Sequence, residues 1–86
     1  MKVVAVPPSL EERTFDTLVQ AYVQSGGGRV LVDARRLAWV DPYGMLGLLA
    51  VGAVAARNGD RPVLQLPETG EVLSYLARMG FFEQAD

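Results

Sequence analysis

Few residues in this chain are equipped for chemistry. The 86 residues include no cysteine and no histidine, which excludes thiol nucleophiles, Ser-His-Asp arrangements, disulfide frameworks and the usual zinc ligand sets within these residues. Acid or base work would fall to carboxylates such as Asp33, Asp41 and Glu68, yet no nucleophile is paired with a base and no acidic cluster has metal-ligand spacing. The expectation is a protein that is not an enzyme and carries neither cofactor nor metal. One junction stands out. An apolar run at 30–32 that ends in Asp33 and a second at 37–40 lead into Asp41-Pro42-Tyr43-Gly44, and an uncharged stretch follows from 45 to 56.

Elementary backbone chemistry defines that junction. Asp is among the best N-cap residues, because its carboxylate accepts from the backbone N–H two or three positions on, here Tyr43 or Gly44. Pro42 then falls on the first helical position, where its missing N–H costs nothing and its fixed φ suits the helix. A helix start exposes orphan N–H groups and the positive end of the macrodipole, so it can receive an anion or a partner's acceptor. The charge of Asp41 itself opposes a phosphate there. The same residues also make an ordinary helix start, and both readings stay open at this level.

The elements that must hold this turn can be read in order. Residues 2–6 form a short apolar strand that Pro7-Pro8 stops, and Ser9 with Glu12 has the spacing of a capping box. Phe15, Leu18, Val19, Tyr22 and Val23 then follow helical periodicity, up to a C-capping turn at Gly26-Gly27-Gly28. These glycines follow a helix and precede a strand, the reverse of a phosphate-binding loop. Residues 29–32 read as a strand covered on both faces, and Asp33, Arg35 and Arg36 as charges of its exit loop, the arginine pair being also a candidate for a partner's carboxylates. Trp39 reads as a core or rim anchor in preference to a ligand-stacking platform. The helix from 43 to 57 has no polar face, so residues on its outward side are candidates for a partner surface, alongside plain core packing. A turn at 57–61 and a strand at 62–66 follow. Thr69 then offers a cap for a last helix striped by Val72, Leu73, Leu76 and Met79 and stopped at Gly80. Alternating strands and helices predict an α/β fold with a largely parallel sheet of three or four strands, flanked by about three helices, and place the Asp41 turn at a strand's carboxyl end.

Size and charge narrow the classes further. A chain of 86 residues supports one domain with one core, burying roughly 60–65% of the surface its unfolded form exposes. Its 50% hydrophobic and 21% charged composition belongs to a folded globule. A net charge of −2, with no basic tract, argues against nucleic acid. Asp41 and Pro42 interrupt the apolar stretch from 37 to 56, leaving about fourteen residues, too few to span a bilayer. Residues 3–6 are likewise too short for the core of a signal peptide, so the expected location is the cytoplasm.

Over residues 3–82 this sequence resembles the STAS domain, typified by bacterial anti-anti-sigma factors. The resemblance rests on strand, short apolar stretch, Asp-x-x-Gly at Asp41 and Gly44, apolar helix, basic-Gly turn, strand, and a closing helix ending in Gly80-Phe81-Phe82. In that family the turn usually reads Asp-Ser-Ser-Gly or Asp-Ser-Thr-Gly, and a partner kinase phosphorylates the first hydroxyl residue. Here that position is Pro42, which has no nucleophilic oxygen, so the charge switch at the helix start has no acceptor. Tyr43 is not expected to replace it as a Ser/Thr kinase site. The resemblance implies a protein-docking surface made of Asp41, Pro42, Tyr43, Gly44, Met45, Leu46 and Leu49. It implies as partner an anti-sigma factor or a kinase-like ATPase, or alternatively a subunit of a lipid or solute ABC transporter, with a second copy of the chain as a further option. Family domains commonly carry one more strand before residue 3. Its absence implies either a partner over the exposed edge, or a longer protein in which these residues are one module, for example the N-terminal regulatory part of a kinase-like protein.

Overall fold

The computed structural model describes residues 2–68 and 70–85. Strand β1 (Lys2–Ala5), strand β3 (Val30–Asp33) and strand β5 (Val63–Gln65) form a parallel sheet in the order β1-β3-β5. A second, two-stranded parallel sheet pairs β2 (Ser9–Leu10) with β4 (Trp39–Val40). The helices are α1 (Phe15–Gln24), α2 (Pro42–Arg57), α3 (Glu71–Arg78) and α4 (Phe81–Ala85). The expected α/β class and parallel sheet are therefore present, with a short fourth helix that the sequence reading lacked.

The expectation that β3 is covered on both faces fails. Its residues alternate between buried and half-buried, as a period-two strand does when one face meets the core and the other faces outward. Val4, Val30 and Val32 point into the single apolar core with Leu10, Leu18, Tyr22, Leu48, Val51, Leu76 and Phe81. On the opposite face the register aligns Val3, Leu31 and Val63 across the three strands, and both valines are exposed.

The capping box expected at Ser9 and Glu12 is also absent. Ser9 pairs with Trp39 as a strand residue, and α1 begins six residues later, with Thr14 at its N-cap position. Thr14 serves the turn that precedes the helix. Its hydroxyl donates to the Ser9 carbonyl at 2.9 Å and accepts from the Glu11 N–H at 3.0 Å. A parallel pairing across thirty residues thus outcompeted the local signal.

The helix ends follow their chemistry. Gly26, Gly27 and Gly28 all take positive φ after α1, a run that L side chains disfavour. The Lys2 ammonium donates to the carbonyls of Ser25 and Gly27, and Asp60 accepts from the Gly28 N–H at 3.1 Å. Gly80 likewise takes positive φ and separates α3 from α4. Val72 and Leu76 bury the α3 stripe as expected, whereas Met79 lies exposed beyond the helix. Thr69, offered by the sequence as the cap of that helix, lies outside the described residues. Among the described residues no helix is long and apolar enough to cross a membrane.

Candidate functional site

The Asp41 turn is built by two neighbouring backbones. Pro8 accepts from the N–H groups of Ala38 and Trp39 at 2.7 and 3.1 Å, and Leu10 accepts from Asp41 N–H at 3.3 Å. This ladder makes the turn follow β4, in the minor sheet, rather than β3 of the main sheet. Asp41 is the N-cap in extended conformation, and its Oδ1 accepts from Gly44 N–H at 2.9 Å. Pro42 occupies the first turn, and the Asp41 carbonyl accepts from Met45 N–H at 2.9 Å. Of the orphan donors at this helix start, Asp41 N–H and Gly44 N–H are satisfied and Pro42 has none. Only the Tyr43 N–H lacks a protein partner among the described residues, which leaves little of an anion site.

Gly44 is forced to be glycine by packing. A Cβ placed there would overlap the Leu10 carbonyl oxygen, lie 2.6 Å from that carbonyl carbon and 2.9 Å from Val40 Cγ2. Three positions on, Gly47 brings α2 against α1, where a Cβ would sit 3.0 Å from Phe15 Cβ. The two small residues let an apolar helix nest on the chain behind it.

The phase of α2 then sorts the expected surface residues. Pro42, Tyr43 and Leu46 face outward, with Tyr43 49% and Leu46 55% exposed, and Leu49 is half-buried. Gly44 and Met45 turn inward, Met45 being only 7% exposed, so neither offers a side chain to a partner. The Tyr43 ring leans on Phe15 with centroids 6.2 Å apart, which fixes its orientation without burying it.

Beside this face opens a cleft of about 600 Å³ between the β4–α2 junction and α3. Trp39, Asp41 and Pro42 line one side, and Glu71, Tyr75 and Arg78 the other. The sequence placed Trp39 in the core or at its rim. It stands at the rim, 59% exposed, because Val40 takes the inward position of the short strand. The contribution of α3 to this cleft was missed. Its only signal was the charged and aromatic side of an amphipathic helix.

The other carboxylates lie elsewhere. Asp33, at the end of β3, accepts from Arg35 Nε and a terminal guanidinium nitrogen at 3.0 Å each, and from Arg35 N–H at 3.1 Å. These bonds, the side-chain ones foremost, hold its carboxyl at about 2, well below the ordinary carboxylate range. Arg35 is thereby committed to Asp33 rather than free for a partner's carboxylate. Because the folded value is depressed, the pair's contribution to stability is complete at neutral pH and disappears as pH falls from the ordinary range through about 2. Melting the natural chain and Asp33→Asn across that window should give curves that differ near neutrality and converge in strong acid. A constant gap would mean the pair contributes no pH-linked stability. Glu68 is exposed, and among the described residues no three acidic side chains gather as a metal site.

A comparison with family models, curated proteins and solved structures finds no match.

Proposed function

We propose that this chain is a non-enzymatic protein-interaction module of STAS type, working in the cytoplasm in bacterial partner switching as an anti-sigma factor antagonist does. Its docking face is Pro42, Tyr43 and Leu46, with Leu49 at the margin and Asp41 and Gly44 as the framework beneath. The observation that carries this reading is the outward presentation of these apolar side chains on a helix start whose backbone donors are satisfied but for the Tyr43 N–H. Such a surface suits a protein partner better than an anion. Tyr43 is of the residue type that anchors interfaces, and it is braced by Phe15. Pro42 makes the module constitutive at the position where relatives of the proposed type receive phosphate.

Purification of the tagged chain from its own cell extract, with and without ATP, tests the proposal. Recovery of an anti-sigma factor or a kinase-like ATPase is expected. Pro42→Asp and Leu46→Asp are each expected to weaken that partner at least tenfold, about 1.4 kcal/mol, with circular dichroism unchanged. Undiminished binding by both variants would remove this face from the interface. Recovery of transporter subunits instead would move the module to an accessory role in a membrane complex.

A further inference from the structure

The cleft beside the docking face has a composition of its own. Trp39 exposes most of an indole at its rim, and Tyr75 and Val72 lie across from it on α3. Two carboxylates border the same space. Asp41 uses Oδ1 on Gly44 N–H, which leaves Oδ2 without a protein partner among the described residues. Glu71 makes no ion pair among the described residues. Arg78 opposes them, but it stands seven residues along α3 from Glu71, about 10 Å by helical rise, and its Nε donates to the Ser74 carbonyl at 3.4 Å. The Tyr75 hydroxyl is out of water with no partner among the described residues. An exposed indole that shares a cleft with one unpaired carboxylate and the open oxygen of a second is an environment that attracts an ammonium or guanidinium group, through the ring quadrupole and through charge.

We propose that the cleft receives an arginine or lysine side chain from an extended segment of the partner protein, its cation over Trp39 between Asp41 and Glu71. The backbone carbonyls of that segment face the exposed Arg78. This rests on the reading of the neighbouring turn as a docking site and adds the partner's chemistry to it. The volume suits a single large side chain with its flanking backbone. The charge pattern selects a basic one.

Trp39 is the chain's single tryptophan, so its emission reports on the cleft directly. The probe is the blocked tripeptide acetyl-Gly-Arg-Gly-amide, with its citrulline and glutamate counterparts as controls. The arginine peptide should shift Trp39 emission saturably, with a Kd on the order of 1 mM, as befits one anchor without the rest of an interface. The citrulline and glutamate peptides should not. Glu71→Gln, an exposed change that leaves the fold intact, should weaken the arginine peptide at least threefold, and added salt should weaken it further. Equal responses to arginine and citrulline, a response to glutamate, no saturation, or indifference to Glu71→Gln would each overturn the proposal. A simple alkylammonium ion binding as tightly as the peptide would also overturn it, in favour of a small-amine site. The two readings fail separately. A partner that needs Leu46 but ignores Glu71→Gln leaves the docking face standing and removes the cleft from it. Arginine-peptide binding with no Leu46-dependent partner does the reverse.

Discussion

Gly44→Ala is expected to destabilise the domain by about 4 kcal/mol, enough to leave much of the chain unfolded at ambient temperature if its stability lies near the lower end of the usual range. The obstacle is backbone. A methyl group at this position meets the carbonyl of Leu10, which is already fixed by the Asp41 N–H, and Val40 closes the other side. Neither α2 nor β2 can retreat without breaking the ladder that joins β2 to β4 and to the helix cap. Two further glycines of the same helix calibrate the effect. Gly47→Ala asks Phe15 to give by a few tenths of an ångström and should cost about 1 kcal/mol. Gly52→Ala meets nothing, so it should show only the helix preference of alanine and stabilise by up to about 1 kcal/mol. Urea denaturation of the three variants should rank them in that order. A near-neutral Gly44→Ala would show that β2 is not seated against the helix as described.

This ranking separates what local sequence chemistry can disclose from what it cannot. The Asp41 cap, Pro42 at the first helical position and the end of α2 near Arg57 were legible, because each depends on residues within one turn of itself. Which side of α2 faces out was not. The helix is apolar all round, so Met45 and Leu46 look alike in the sequence while one is buried and the other exposed. Gly44 was legible as part of a turn, but its packing cause was invisible, since that cause is a carbonyl thirty-four residues earlier. Val30-Leu31-Val32 looked like a strand buried on both faces because every residue is apolar. In the fold, alternation leaves Leu31 on the outer face. The two-residue strand β2 left almost no trace. Its Ser9 suggested a helix cap, and only the distant pairing with Trp39 assigns it to a sheet.

That faint strand should also be among the most sensitive elements of the site. Leu10→Ala is expected to cost about 3 kcal/mol, because Leu10 is completely buried and its removal opens a cavity where β2, β4 and α2 meet. The loss should not be evenly distributed. Strands of two residues have too few ladder bonds to persist by themselves, so the Leu10 side chain is what keeps β2 in place, and β2 supplies the acceptor for the Asp41 N–H. Amide exchange should therefore accelerate at Trp39 and Asp41, whose acceptors lie on the 8–10 segment, by more than at Val32 in the main sheet. An even loss of protection, or a cost below about 1 kcal/mol, would mean that the cap at Asp41 is held by α2 alone. With the uneven loss, the docking face and the cleft become parts of one locally cooperative unit. Pro42, Tyr43 and Leu46 are presented by a helix start, that start is anchored to a buried leucine through the backbone, and Trp39 shares the same short ladder.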